Sequence, residues 1–370
     1  MTTFTPDELV RYRRHLSLTG FGPMAQERLK RGSVLVVGAG GLGCPALLYL
    51  AAAGVGRIVI VDDDRIDVSN LQRQVLYSSE NAGEAKARVA ERRLRALNPL
   101  IDVEARVERF ARQRALELVS AADVVVDGSD NFGTRYLVND ACVMSERPFV
   151  YGAIQGFAGQ VSVFNYRGGP TYRCLFPEPP EPELAPNCAE AGVLGVLPGI
   201  VGAVQATEAI KVLTGVGSPL AGQLWLFDAL TMRSQLVALT ADPCCREVRD
   251  LPPDDEGLAC AAPKRDSVEI HTGALRASLQ SGNAPQLIDV REGWERASGA
   301  IEGSAHVPLS ELQGEDGQAV LAPFDRERST IVYCAVGARS ARAVEILRRR
   351  FGFQSVASLR GGMKAWSAQR

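Results

Sequence analysis

Residues Val34–Asp64 read VLVVGAGGLGCPALLYLAAAGVGRIVIVDDD: an apolar run, a glycine turn, a small-residue segment, a second apolar run and an acidic end. Val34–Val37 is short and rich in β-branched residues, which suits a strand buried on both faces of a parallel sheet. Gly38, Gly40 and Gly43 fit the spacing G-x-G-x-x-G, with Gly41 as an additional glycine. In that pattern the first glycine allows a tight turn, the second lets backbone approach phosphate, and the third permits close helix–strand packing. Pro45 falls in the first helical turn, where its missing N–H costs nothing. The helix continues through Ala46–Ala53, and Gly54 serves as its stop. Arg57–Val61 is the second strand, and Asp62 follows at the distance expected of a ribose-binding acid. Strand, turn, helix, strand and acid in this order predict a doubly wound α/β fold with a nucleotide held at Gly38–Gly43.

At 370 residues the chain is too long for one typical core, so two domains are expected. Hydrophobic content of 46% and charged content of 23% are those of a soluble globular protein. A net charge of −2 advertises neither nucleic acid nor an anionic membrane as partner. The opening MTTFTPDELVRYRRHL lacks the apolar core of a signal peptide, and no uninterrupted apolar run is long enough to span a bilayer. A cytoplasmic location is therefore expected, where the eight cysteines stay mostly reduced. They are scattered, so catalytic thiols, metal ligands and buried thiols compete as explanations.

Pro6–Lys30 reads as helical, with Arg11, Tyr12, Arg14 and His15 clustered near its start. Ile66–Tyr77 is polar but places Leu71, Val75 and Leu76 at roughly helical spacing. Glu84–Leu97 is a charged amphipathic helix containing Lys86, ended by Asn98-Pro99. Strands are predicted at Ile101–Val107, Asp123–Asp127, Phe149–Tyr151 and Gly159–Asn165. Gly128-Ser129-Asp130-Asn131 follows the second of these, at the ligand edge of a doubly wound sheet. Phe176–Pro186 is too proline-rich for a helix or central strand and reads as a mobile crossover, with Cys188 just beyond it. Val193–Leu213 is a small-residue helix, and Leu224–Asp228 with Ser234–Leu239 forms a closing hairpin. The expected domains are residues 1–241 and 266–370, joined by a linker at 242–265.

The second domain alternates short strands and helices, with strands at Leu287–Val290 and Thr330–Tyr333 and a helix at Ala338–Arg350. Between the last two lies Cys334-Ala-Val-Gly-Ala-Arg339-Ser340. A thiol at a strand-to-helix turn faces backbone N–H groups and the positive end of a helix, an environment that favours thiolate and holds a persulfide anion. The bland reading is a half-buried structural cysteine. Arg339 and the glycine-bearing loop favour chemistry.

Two families are resembled in succession. Residues from about Arg11 to Leu239 resemble the MoeB/ThiF adenylyltransferases, relatives of ubiquitin-activating enzymes. The resemblance is carried by RYRRHL, VGAGGLG, VDDDRIDVSNLQRQ, the helix holding Lys86, DGSDNFGTRYLVNDAC and PNCAEAGVLGVLPGIVGAVQATEAIK. Residues from about Ser267 to Trp366 resemble a rhodanese domain through LIDVREGWE, GAIEGSAHVPLSEL, the CAVGARS loop and LRGGMKAW. The resemblance implies a mixed Rossmann-like sheet followed by a smaller α/β domain. It also implies ATP-dependent adenylation of the C-terminal glycine of a ubiquitin-like sulfur carrier protein ending in Gly-Gly, then sulfur transfer giving a thiocarboxylate.

By match to the family motifs, Asp62 binds the ribose, Arg73, Lys86 and Asn70 face the phosphates, and Asp130 binds Mg²⁺. Arg14 reaches the phosphates of a neighbouring subunit, because the family works as homodimers. Cys334 carries sulfur as a persulfide, supplied by a donor such as a cysteine desulfurase, with Arg339 in its loop. Cys188 sits where relatives place a cysteine that bonds covalently to the carrier. Cys334 and Arg339 are one residue closer than in the cradle of rhodanese-like phosphatases, the spacing of sulfur carriers. Carriers of molybdenum cofactor, thiamine, cysteine or tRNA-thiolation pathways all fit. Relatives often hold zinc with two C-x-x-C pairs; here Thr171 replaces the first cysteine beside Cys174, and the second pair is reduced to Cys244-Cys245. With both pairs broken, no structural zinc is expected. The alternatives are a nucleotide-dependent oxidoreductase, which the glycine pattern alone favours, and a non-catalytic scaffold.

Overall fold

The computed structural model describes residues 4–179, 192–252, 269–280, 284–297, 299–314 and 317–367. The chain divides into two compact units, residues 1–260 and 261–370. The first is built on an eight-stranded sheet. Its strands are β1 (Ser33–Val37), β2 (Arg57–Val61), β3 (Asp102–Arg106), β4 (Val124–Asp127), β5 (Phe149–Gln155), β6 (Ala158–Phe164), β7 (Gln223–Asp228) and β8 (Arg233–Ala238). They lie in the order β3-β2-β1-β4-β5-β6-β7-β8. The first five are parallel, and β5 through β8 are antiparallel.

The chain order reverses between β1 and β4, which leaves a crevice at their carboxyl ends. Successive residues of β1 serve opposite faces: Val34 and Val36 enter one core, Leu35 and Val37 the other. Both faces are covered, so the apolar runs do not alternate with polar residues. Helix Gly43–Ala53 packs on the first face beside helix Leu197–Thr214. A Cβ added to Gly202 would stand 2.5 Å from both the Leu42 carbonyl and Pro45, which is why the small-residue helix carries glycine there. Gly54 ends helix Gly43–Ala53 at φ +87°, as expected.

The second unit is a five-stranded parallel sheet. Its strands are β9 (Glu269–Ile270), β10 (Gln286–Asp289), β11 (Ala305–His306), β12 (Thr330–Tyr333) and β13 (Val356–Leu359), in the order β11-β10-β12-β13-β9. Helix Ala338–Arg349 follows β12 and packs on it and on β13. Among the described residues no helix is long and apolar enough to cross a membrane.

Four expectations need correction. Pro6–Lys30 is three helices, Pro6–Arg11, Arg13–Leu16 and Gly22–Arg31. Gly20 and Gly22 at positive φ break the continuity. Ile66–Tyr77 forms only a single 3₁₀ turn, Val68–Asn70, with Val75 exposed: the apolar spacing is met by turns that keep Leu76 and Tyr77 in the core. The helix expected from Glu84 starts at Lys86. The start of the expected linker packs on the first sheet. Arg112 donates to the Asp250 carboxylate at 2.7 and 2.8 Å and to the Leu251 carbonyl, and Leu251 is buried in the second core. The rest of that linker, 253–265, and Cys188 with most of the proline-rich crossover lie outside the described residues.

Candidate active site

The glycine turn sits where β1 and β4 diverge. Gly38 has φ +90°, and a Cβ there would stand 2.8 Å from the Gly128 carbonyl. A Cβ on Gly43 would lie 2.0 Å from the Gly38 carbonyl, so that glycine permits the helix to start against the strand end. Gly40 is different: only the Gln74 amide, at 3.7 Å, stands near its missing side chain. Gly41 faces Pro198 and the Arg73 side chain, whose Cδ is 3.6 Å away.

Asp62 anchors this turn. One carboxylate oxygen accepts the Ala39 N–H at 2.7 Å and the other the Asp64 N–H at 2.8 Å. Burial pushes its carboxyl up in pKa, opposed by the Ala39 N–H and the charge of Lys86. From the opposite side the Tyr77 hydroxyl donates to the Ala39 carbonyl at 2.7 Å. The turn is therefore held before any ligand arrives, which is what preorganised phosphate binding requires.

Lys86 begins its helix with its side chain 7% exposed, and its ammonium donates to Asp64 at 2.7 Å. Asn70 closes the 3₁₀ turn; its side chain accepts the Asp67 N–H, and its carbonyl accepts the N–H groups of Arg73 and Gln74. Arg73 bonds weakly to the Ser69 carbonyl, leaving its guanidinium available beside Gly41. Gln74 is buried next to Gly40, and its side-chain amide oxygen has no partner. An open backbone turn and two cations form a set that suits a polyphosphate.

Asp130 lies exposed two residues beyond Gly128. The loop carrying it is fixed from beneath, where Asp127 accepts both the N–H and the hydroxyl of Ser129, and Arg135 donates to the Ser129 carbonyl. Among the described residues no group of three or more His, Cys, Asp or Glu is arranged to hold a metal ion. A single exposed carboxylate beside a phosphate site fits Mg²⁺, which keeps several waters and takes one or two carboxylates together with substrate phosphates. Arg14 is exposed in helix Arg13–Leu16, where no described residue pairs with it.

In the second unit Cys334 directly follows β12 and is 1% exposed. Its sulfur accepts the Gly337 N–H at 3.1 Å and the Ser340 hydroxyl at 3.5 Å. Gly337, at φ +111°, caps helix Ala338–Arg349. Gly362 closes the loop from behind; a Cβ there would strike the Cys334 carbonyl at 2.3 Å. Arg339 turns to Glu295 and donates two hydrogen bonds of 2.6 Å. Those bonds hold the Glu295 carboxyl below the usual carboxylate range.

Asp64, Gln74 and Glu295 were not singled out from sequence. Asp64 and Glu295 stand inside quoted motifs, but nothing in a string shows which cation a carboxylate faces. Lys86 alone suggests pairing with Glu84 or Glu91 on its own helix. It reaches Asp64 instead, while Glu84 engages Arg92, and Glu91 engages Arg88 and Arg95.

The ThiF family description matches residues 12–247, and the rhodanese-like domain description matches residues 272–369. The chain belongs to the ThiF family. A Mycobacterium tuberculosis protein named probable adenylyltransferase/sulfurtransferase MoeZ is 42% identical over 98% of this chain and 94% of its own length. The mouse adenylyltransferase and sulfurtransferase MOCS3 is 40% identical over 98% of this chain and 86% of its own. A Thermus thermophilus sulfur carrier protein adenylyltransferase is 55% identical over 68% of this chain and 95% of its own. The crystal structure of E. coli MccB with ATP shares the fold, with a TM-score of 0.56 and 23% identity over 64% of this chain and 74% of that one. This ThiF-family chain, with its rhodanese-like domain, is an adenylyltransferase and sulfurtransferase.

Proposed function

We propose that the chain uses ATP to adenylate the C-terminal glycine of a ubiquitin-like sulfur carrier protein ending in Gly-Gly, then replaces AMP with sulfur delivered by Cys334. The observation that carries this reading is one chain holding both a cationic glycine turn and a thiol cradled by N–H and O–H donors. The relatives named for both activities span nearly the whole chain.

A carboxylate is a poor electrophile, and AMP is the leaving group that makes it reactive. In this reading Asp62 orients the ribose, while the N–H groups of Gly40 and Gly41, with Asn70, Arg73 and Lys86, bind the triphosphate. Lys86 and Arg73 balance the charge that gathers on pyrophosphate as the carrier carboxylate attacks the α-phosphorus. Asp130 would hold Mg²⁺, which would supply further charge neutralisation at the phosphates. In the second half, Cys334 receives sulfane sulfur from a donor such as a cysteine desulfurase. The terminal sulfur of that persulfide attacks the acyl adenylate and AMP leaves, giving an acyl disulfide on Cys334. A second thiol, Cys188 or a reductant, attacks that disulfide and frees the thiocarboxylate.

A homodimer completes this reading, with Arg14 serving the partner's phosphates. A depression of about 280 Å³ lined by His15, Tyr49, Ala52, Ala203, Thr207 and Ile210 lies beside Arg14, on the face this reading assigns to the second copy. The cytoplasm suits free thiols. Molybdenum cofactor synthesis is one pathway whose carrier fits.

The test is ATP–pyrophosphate exchange with a panel of Gly-Gly carriers, using wild type and Asp130→Ala. Carrier-dependent exchange, lost in the variant, supports the reading and names the partner. Folded, ATP-binding protein without exchange for any carrier overturns it in favour of a scaffold.

A further inference from the structure

Away from both sites, Cys174 and Cys245 meet on the first unit. Cys174 belongs to the short helix Tyr172–Leu175, and Cys245 to the 3₁₀ turn Pro243–Arg246 after β8. Asp242 joins them. Its N–H donates to the Cys174 sulfur at 3.3 Å, and its carbonyl accepts the Cys245 N–H at 3.1 Å. The Cys174 sulfur also accepts the Thr171 N–H at 3.3 Å and lies 3.4 Å from the Thr171 hydroxyl. The Asp242 carbonyl also lies 3.8 Å from the Cys174 sulfur, so both cysteines converge on the same carbonyl oxygen. Neither is fully buried. Cys244, the nearer of the pair to Cys174 in sequence, is instead exposed, its N–H bonded to the Asp242 side chain.

We propose that Cys174 and Cys245 form a redox-active dithiol that low-molecular-weight disulfides oxidise to an intramolecular disulfide. The two cysteines have different jobs. Burial pushes Cys174 up, but the Thr171 hydroxyl and the N–H groups of Asp242 and Thr171 outweigh it and leave its pKa below the ordinary thiol value. Burial and the neighbouring Cys174 charge push Cys245 up to about 11. With the N–H groups of Thr171 and Asp242 and the Thr171 hydroxyl facing its sulfur, Cys174 is the attacking thiolate and Cys245 the resolving thiol. Cys174 attacks one sulfur of the small disulfide, breaking its S–S bond and expelling one thiolate. Cys245 gives its proton to solvent and attacks the Cys174 sulfur, expelling the second. The two cysteines lose two electrons, and the small disulfide becomes two thiols. The inference is independent of the adenylation reading.

The experiment exposes the full, reduced chain to oxidised glutathione, traps free thiols with iodoacetamide and maps the non-reduced digest by mass spectrometry. A linked Cys174–Cys245 peptide, the loss of two titratable thiols and their return with dithiothreitol are expected. Cys245→Ser then stops at a glutathione adduct on Cys174, and Cys244→Ser leaves the link intact. Alkylation of both Cys174 and Cys245 under conditions that modify Cys334, or a link from Cys174 to Cys244, overturns the proposal. So does stoichiometric zinc in the untreated protein that protects these thiols from reaction.

Discussion

The Lys86 ammonium lies 2.7 Å from the Asp64 carboxylate, and the two ends of that pair are in different worlds: Lys86 is 7% exposed and Asp64 69%. An exposed partner contributes little, about 1 kcal/mol or less, so phosphate can displace it readily. Lys86→Ala is expected to lower carrier-dependent ATP–pyrophosphate exchange by about 100-fold or more, the scale of losing one donor to developing charge. Asp64→Asn is expected to lower the KM for ATP by less than about fivefold with kcat held. Steady-state exchange kinetics on both variants check this. A Lys86→Ala enzyme with near wild-type exchange would mean the cation serves Asp64 alone.

Gly38 offers a backbone test of the same site. Its φ of +90° and the Gly128 carbonyl 2.8 Å from a built Cβ leave no room for alanine. Gly38→Ala is expected to cost about 1–3 kcal/mol, read as a lower Tm, and to weaken ATP binding by displacing the turn. Gly40→Ala meets only the Gln74 amide at 3.7 Å, so its Tm should stay within a degree or two while ATP binding suffers. Thermal unfolding and ATP titration of the two variants show whether Gly40 faces the nucleotide while Gly38 shapes the turn.

The contrast between those glycines marks how far the sequence can be read. Strand, turn and helix between Ser33 and Val61 follow from local spacing, and the structure places them within a residue of expectation. Asn70 and Arg73 stand in a motif that the sequence shows plainly, yet their segment is not legible as structure. Leu71, Val75 and Leu76 have helical spacing, but a 3₁₀ turn and tertiary contacts replace the helix. Pairings between distant carboxylates and cations, Asp64 with Lys86 or Glu295 with Arg339, depend on how strands align and no local pattern encodes them. Likewise, adjacent Cys244 and Cys245 are indistinguishable in the sequence, whereas the 3₁₀ turn leaves one exposed and the other half-buried.

Arg135 and Asp127 test the support under the Asp130 loop. Both are buried, 3.4 Å apart, and Arg135 stacks over Tyr151 as well. Burial pushes the Asp127 carboxyl up, with Arg135 and Ser129 opposing it. Arg135→Met strands the carboxylate and is expected to cost about 3–5 kcal/mol. The double variant Asp127→Asn with Arg135→Met should recover a large part of that loss, because no unpaired charge remains. Chemical denaturation of the single and double variants measures the coupling. Equal stability of the two would remove the ion pair as the reason for their burial.

Glu295 gives the second unit a pH signature. The two bonds from Arg339 hold its carboxyl below its ordinary value of 4.5, so the folded state binds its proton more weakly than the unfolded chain does. The stabilisation is thus present above the unfolded pKa and is lost as pH falls through the lower folded pKa. Glu295→Gln removes it at every pH. The Tm difference between wild type and variant is expected to be flat from about pH 8 to 5.5 and to shrink as pH falls below about 4.5. Because Arg339 would swing free of its anchor, thiosulfate–cyanide sulfur transfer through Cys334 should drop by about tenfold. That drop should persist from pH 6 to about pH 9, since Glu295 is ionised throughout that range in the wild type. ATP–pyrophosphate exchange should be untouched, as the glycine turn belongs to the other unit. A Tm difference that grows toward acid would reverse the sign of the pair's contribution and remove Glu295 as the anchor of the Cys334 loop.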